Sequence, residues 1–320
     1  ELVFEGHGTK WLSHTDVDRD DFVVSYSSFL RPTTLFHVDA ATLAKRAVAN
    51  APARFDPAPY ASSQHFATSK DGTRIPYWLV GPKDLLKDGS HPTLLTGYGG
   101  FRIPQRPRYL RALGRSWLDR GGVYAVACIR GGGEYGPRWH DAALREKRPR
   151  AFEDFEAVAE DLIARQITSP EHLGIQGGSN GGLLVGACLT RRPELFGAVV
   201  CQVPLLDMRR YHRLLAGASW MAEYGDPEEP ADWAFLRTWS PYHNLSADAS
   251  YPRVLFTTST KDDRVHPGHA RKMVARMRAM GHPVLYYENT EGGHAGAANA
   301  KQRAWQRALV TTYLLTELGG

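Results

Sequence analysis

The run Gly177-Gly178-Ser179-Asn180-Gly181 carries the clearest chemistry in the sequence. It reads G-x-S-x-G and stands where a predicted strand (Leu173 to Gln176) gives way to a predicted helix (Gly182 to Thr190). A serine on a sharp strand-to-helix turn needs neighbours without Cβ atoms. The helix behind it supplies backbone N–H groups and a positive dipole end for an oxyanion. Serine alone is a poor nucleophile at neutral pH, so a histidine base and a carboxylate are required, in the order Ser, Asp, His. Asp262, with Asp263, follows the predicted strand Val254 to Thr258, and catalytic groups of parallel sheets gather at the carboxyl ends of strands. His294 stands in the Gly-rich loop Glu291 to Gly296, after the last predicted strand. Acidic loop residues are ordinary and the chain has 13 histidines, so neither residue signifies much alone. In this order, each after its own strand, they make a nucleophile, a base and a carboxylate.

The elements around these residues alternate between strands and helices, the pattern of a parallel α/β sheet. Strands are predicted at Arg74 to Val80, Thr93 to Thr96, Val123 to Ile129, Leu173 to Gln176, Ala198 to Val203, Val254 to Thr258 and Val284 to Glu288. Several are short apolar runs of the kind buried on both faces. The clearest helix runs from Phe152 to Ala164, with Phe152, Phe155, Val158 and Leu162 on one stripe and carboxylates on the other. Further helices are expected near Ala270 to Met280 and Gln302 to Leu315. The first fifty or so residues differ: Phe22 to Leu30 and Thr34 to Val38 read as short strands with no helical period. Two or three such strands cannot bury a core unaided. A Pro- and Ala-rich linker, Ala51 to Ala61, follows them. The expected division is therefore a partial β segment over residues 1–55 and an α/β domain over 56–320.

Composition bounds the function. The 320 residues are 42% hydrophobic and 23% charged, with 31 glycines and 20 prolines, which argues against disorder and against a fibrous chain. No window approaches eighteen consecutive apolar residues, so no membrane partner is expected. The net charge of +5 comes from charges that alternate in sign, and only Arg145 to Arg150 is locally basic. That stretch reads as a solvated loop rather than a phosphate patch, since no recognition motif or interleaved aromatic accompanies it, and no nucleic-acid partner is expected. Cys128, Cys188 and Cys201 are odd in number, far apart and set among apolar neighbours, so neither a disulfide framework nor a zinc site follows. This usage points to the cytoplasm. The first residue is not methionine, so a processed chain of periplasmic or secreted origin stays open.

From roughly Ser63 to Leu318 the sequence resembles the catalytic domain of the prolyl oligopeptidase family of serine peptidases. The matching motifs are Tyr98-Gly99-Gly100-Phe101, Arg130-Gly131-Gly132-Gly133-Glu134-Tyr135-Gly136, the Gly177 to Gly182 elbow, Asp207-Met208, Ser240-Pro241-Tyr242-His243-Asn244, Asp262-Asp263-Arg264-Val265 and Gly293-His294. Several motifs in the family's order are far more specific than any one. The resemblance implies an α/β-hydrolase fold, a mostly parallel sheet with helices on both faces. It implies Ser179 as nucleophile, Asp262 rather than Asp263 as the carboxylate and His294 as the base. Tyr98 and the backbone N–H of Asn180 match the oxyanion donors. Trp220 and Tyr224 fall where prolyl members carry a tryptophan that stacks on the substrate proline and a tyrosine beside it, with Phe101 and Val265 as further apolar walls. Arg264 matches the arginine that grips a backbone carbonyl of the bound peptide. Members that cut after Lys or Arg are expected to place a carboxylate in this pocket, and Glu223 stands close to Trp220 in sequence.

The implied activity is an endopeptidase cutting peptides after proline, with no metal and no organic cofactor. A broader acyl hydrolase, an esterase or an acylaminoacyl-peptidase-like enzyme, is the alternative within enzymes, and a non-catalytic fragment the alternative outside them. Gly131, Gly133 and Gly136 also satisfy G-x-G-x-x-G, but the unit sits third in the strand series and no acidic residue closes a second strand about twenty residues on. His266 and His269 have metal-ligand spacing without a third ligand and read instead as a helix start. Complete family members carry a seven-bladed β-propeller over the active site, whereas here only strands such as Phe22 to Val38 resemble part of a blade. Without the rest, the face normally under a propeller would be exposed. The expectations are self-association through that face and a site open to larger substrates.

Overall fold

The computed structural model describes residues 2–319, whose strands form two sheets. β1 (Gly8–Thr15), β2 (Asp21–Ser28), β3 (Thr34–Asp39) and β4 (Lys45–Asn50) pair antiparallel in chain order. β2 and β3 lie where alternation puts them; β1 and β4 correct the expectation of two or three strands. β1 is mostly exposed and β4 wholly so, and strands with no buried face carry no apolar alternation to read. Val24, Tyr26, Phe36 and Val38 make a small core of their own, with Phe4 stacked on Tyr26. Phe29, just after β2, packs beside Trp78 and Tyr124 of the larger sheet, and its carbonyl accepts the Leu110 N–H at 3.1 Å.

The larger sheet contains β5 (Tyr60–Thr68), β6 (Arg74–Pro82), β7 (Thr93–Thr96), β8 (Val123–Ala127), β9 (Leu173–Gly178), β10 (Ala198–Gln202), β11 (Val254–Ser259) and β12 (Val284–Asn289). Their spatial order is β12-β11-β10-β9-β7-β8-β6-β5. The pairs from β8 through β7 to β12 are parallel, while β5 with β6 and β6 with β8 are antiparallel. The helices are α1 (Ala112–Ser116), α2 (Pro137–Asp141), α3 (Pro149–Ala164), α4 (Asn180–Arg191), α5 (Met221–Tyr224), α6 (Pro230–Trp239), α7 (Gly268–Ala279) and α8 (Ala300–Leu318). β5, which begins inside the expected linker, and the helices α1, α2, α5 and α6 had no sequence forecast. No helix among the described residues is long and apolar enough to cross a membrane.

Both faces of the sheet are buried, and the period of two along each strand decides which core a residue joins. Val199 and Cys201 of β10, with Val254 and Phe256 of β11, join Phe155 of α3, Leu184 of α4 and Met273 of α7. Val200 and Leu255, the residues between, join Val310, Tyr313 and Leu314 of α8, together with Trp117. The result is the α/β-hydrolase arrangement implied by the resemblance. All three cysteines are free and buried within it.

The strand order reverses at β7: β8 pairs on one side of it and β9 on the other. A reversal of this kind leaves a crevice at the carboxyl ends of the strands, where ligands of α/β proteins bind. The turn from β9 to α4 opens into that crevice. Ser179 there has φ 60°, a value that L-residues rarely adopt. The turn is close-packed: a Cβ on Gly177 would collide with the Gly181 carbonyl oxygen, and one on Gly182 would fall 2.7 Å from Pro204 Cβ. A Cβ on Gly178 would meet nothing nearer than Gln202, at 3.8 Å. Beside the crevice, the end of β8 is tied to α3 by a buried ion pair. Arg130 Nη2 lies 2.6 Å from Asp154 Oδ1, the Arg130 N–H donates to Asp154 Oδ2 at 3.0 Å, and Ser69 Oγ donates to Asp154 at 2.6 Å.

Two predictions follow from these contacts. Gly177→Ala will prevent soluble folding or lower the midpoint of denaturant unfolding sharply, while Gly178→Ala will fold like the parent; equal behaviour of the two would contradict the packing. Asp154→Ala leaves the Arg130 guanidinium with Asp71 as its carboxylate partner but strips the buried Arg130 N–H and Ser69 hydroxyl of their acceptor, and will cost about 1–3 kcal/mol of unfolding free energy. A loss below about 1 kcal/mol, the level of an exposed pair, would mean that the site is not dry.

Candidate active site

Asp262 follows β11 and is almost fully buried. Its Oδ1 accepts the backbone N–H groups of Arg264 and Val265, each at 2.9 Å, so the tight turn after the strand fixes the carboxylate. His294 Nδ1 lies 2.9 Å from Asp262 Oδ2 and 3.0 Å from Oδ1. Burial pushes the Asp262 carboxyl up, but the His294 bond and the two backbone N–H groups outweigh it and hold the group below its ordinary value. With Nδ1 bonded to Asp262, Nε2 is the nitrogen left for a substrate. Gly178, next to Ser179, lines a cavity of about 130 Å³ together with His294. Among the described residues the His294 ring bonds only to Asp262, so the link from Ser179 to His294 is not closed here; such bonds commonly tighten only with substrate. Asp263, the neighbouring carboxylate, is exposed.

Tyr98 lies just beyond β7, the strand beside β9, which brings its phenol near the Ser179 side chain. Burial pushes the phenol up, against smaller pulls from Ser179 and the Arg264 charge, so it keeps its proton at neutral pH. The loop that follows is strained. Gly99 has φ 67°, Phe101 56° and Arg102 57°, and the two non-glycine residues cost about 1–3 kcal/mol each. Asn180 opens α4, so its backbone N–H is one of the helix's orphan donors. Its side chain is buried: Nδ2 donates to the Tyr98 carbonyl at 2.6 Å and Oδ1 accepts the Tyr224 hydroxyl at 2.7 Å. The glycines after β8 serve this loop. A Cβ on Gly131 would collide with the Gly99 carbonyl oxygen, and one on Gly133 with that of Arg102.

Trp220, Tyr224 and Val265 are buried in one apolar cluster, and Phe101 packs against it with its ring edge-on to Tyr224 at 5.8 Å. Glu223 is buried too, with both oxygens occupied. Oε1 accepts the Phe101 N–H at 3.0 Å and Arg148 Nη2 at 2.6 Å, and Oε2 pairs with His140 Nε2 at 2.7 Å. Burial pushes this carboxyl up, but Arg148, His140 and the Phe101 N–H together hold it below its ordinary value. Arg148 corrects the reading of Arg145 to Arg150 as a solvated loop. Its side chain is 1% exposed, and Arg145 is held by Asp232 at 2.7 Å. Sequence reasoning passed over Arg148 and His140; the one signal was a basic run directly before an amphipathic helix. Arg264 is exposed, with its charge felt at Tyr98. His269 Nδ1 accepts the N–H groups of Leu206 and Asp207, and His266 Nδ1 that of Gly268. Among the described residues, no three His, Cys, Asp or Glu side chains are gathered as a metal would need.

The model of the prolyl oligopeptidase family matches residues 110–320. An uncharacterized peptidase of Sinorhizobium fredii is 53% identical over 318 residues, covering 99% of this chain and 44% of that protein. A prolyl endopeptidase of Elizabethkingia miricola is 36% identical over 323 residues, covering 100% of this chain and 46% of its own length. Among solved structures, a post-proline cleaving enzyme from Rickettsia typhi is similar with a TM-score of 0.91 at 41% identity, over 98% of this chain and 45% of that one. A chain from a structural and mechanistic study of two prolyl endopeptidases reaches a TM-score of 0.94 at 42% identity, over 99% and 47%. The chain thus spans less than half the length of these relatives and is itself matched nearly end to end. The chain belongs to the prolyl oligopeptidase family of serine peptidases.

Proposed function

We propose that this chain supplies the catalytic half of a serine endopeptidase that cleaves peptides after proline through an acyl-enzyme on Ser179. The observation that carries the reading is the buried Asp262–His294 hydrogen bond at 2.9 Å, at the carboxyl edge of the sheet that also carries the Ser179 elbow. Ser179 Oγ attacks the scissile carbonyl carbon and gives its proton to His294 Nε2. Asp262 holds the imidazole tautomer and stabilises the imidazolium. The carbonyl oxygen, now an oxyanion, accepts from the Tyr98 hydroxyl and the Asn180 N–H. As the C–N bond breaks, His294 returns the proton to the leaving amine, and water then releases the acyl group by the same steps in reverse.

Trp220 gives the proline ring a flat apolar face, which suits a pyrrolidine because stacking asks no donor of it. Phe101, Tyr224 and Val265 wall the same pocket, and Arg264 takes a peptide carbonyl. The state of Glu223 favours proline over a basic residue, since a carboxylate already shared by Arg148 and His140 has little left for a substrate cation.

Blocked dipeptide reporters ending in proline and in arginine test this on the full chain. Proline turnover is expected to exceed arginine turnover and to vanish in Ser179→Ala. Asp262→Asn should lower kcat on the order of 10⁴-fold, and Tyr98→Phe about 10²- to 10³-fold. Trp220→Ala should cut kcat/KM for proline by about tenfold or more. Arginine preference would overturn the pocket. A fluorophosphonate that labels Ser179 in an enzyme hydrolysing only simple esters would replace the peptidase with a broader acyl hydrolase.

A further inference from the structure

Two consecutive residues of α5 hold the two ends of the strained loop after β7. Glu223 Oε1 takes the Phe101 N–H, and the Tyr224 hydroxyl holds Asn180, which in turn holds the Tyr98 carbonyl. Between these ends, Arg148 Nη1 donates to the Gly99 carbonyl at 2.6 Å while Nη2 pairs with Glu223. On the far side, Arg102 Nε donates to His140 Nδ1 at 3.2 Å, and the opposite ring nitrogen of His140 meets Glu223. The Arg148 guanidinium also lies 5.0 Å above the Tyr224 ring. Its Nε is buried with no hydrogen-bond partner among the described residues, so the group is placed for the loop and the carboxylate at the expense of a third donor.

We propose that Glu223 is a positioning residue: through Arg148, His140 and the Phe101 N–H it holds residues 98–102 in the conformation that presents Tyr98 to the oxyanion and Phe101 to the pocket. The inference deepens the proposed function and rests on its reading of Tyr98. Strained backbone persists only where its surroundings over-determine it, and each side-chain partner of Glu223 also bonds to this loop. An ion pair kept for stability alone has no reason to do so, because buried pairs can often be replaced by apolar residues without loss.

The test uses Glu223→Gln, which keeps shape and an acceptor but removes the charge, and Arg148→Lys, which cannot serve two acceptors in fork geometry. Thermal unfolding is recorded for both. Two measurements decide. The first is the rate at which a fluorophosphonate labels Ser179, a readout of nucleophile and oxyanion hole that does not depend on proline. Glu223→Gln should slow it by about tenfold or more, and adding Tyr98→Phe should then cost less than about threefold, against about 10²-fold in the parent. Unchanged labelling, or effects of the two substitutions that simply multiply, would overturn the proposal. The second is amide hydrogen exchange, which needs no activity. Exchange at residues 99–102 should accelerate about tenfold or more in Glu223→Gln with the rest of the sheet unaffected. Unaltered exchange, or acceleration spread over the whole chain, would overturn it. If the parent chain is not labelled at all, the proposed function fails, and exchange alone decides the role of Glu223.

Discussion

Close approach of backbone to backbone at the carboxyl ends of β7, β8 and β9 is the constraint on which the site depends. Three turns, at residues 97–102, 130–136 and 177–182, meet there with no room for side chains between them. The Gly131 Cα faces the Gly99 carbonyl, Gly133 faces that of Arg102, and Gly177 faces that of Gly181. The reversal of strand order at β7 brings the turns after β7 and β9 side by side. This is why Tyr98 and Ser179, eighty-one residues apart in sequence, are spatial neighbours. Tightness of this kind fixes positions to a fraction of an ångström, as donors aimed at a developing charge require.

Three carboxylates buried around these turns are each met by a basic side chain and by backbone. Asp154 takes Arg130 and a backbone N–H; Glu223 takes Arg148, His140 and a backbone N–H; Asp262 takes His294 and two backbone N–H groups. Desolvation would otherwise drive such carboxylates toward neutrality. Asp262 and Glu223 are both held below their ordinary range against that pressure. The backbone donors come from turn residues, so the charge distribution and the chain path are set by the same local geometry.

Much of this was legible in the sequence, for physical reasons that also explain what was not. The central strands read correctly because burial on both faces leaves apolar runs, as in β8 and β10. α3 read correctly because Phe152, Phe155, Val158 and Leu162 keep the helical period. Ser179, Asp262 and His294 were visible as residue types at strand ends, but only the coordinates join His294 to Asp262. β1, β4 and β5 escaped because their pairing is a backbone matter that leaves little pattern in exposed or Ser-rich side chains. Arg148 escaped for the opposite reason. A basic residue within a basic run looks solvated, and only the placement of Glu223, seventy-five residues on, makes its burial favourable.

Asn180 fills the variable position of the elbow directly after Ser179, yet its amide is spoken for at both ends, by the Tyr98 carbonyl and the Tyr224 hydroxyl. A substitution at 180 strands a phenol 44 positions downstream, and loss of the phenol strands the amide. The two positions therefore share one evolutionary fate. Lineages of this fold should exchange residues 180 and 224 as a matched pair, although nothing in their spacing along the chain announces a partnership.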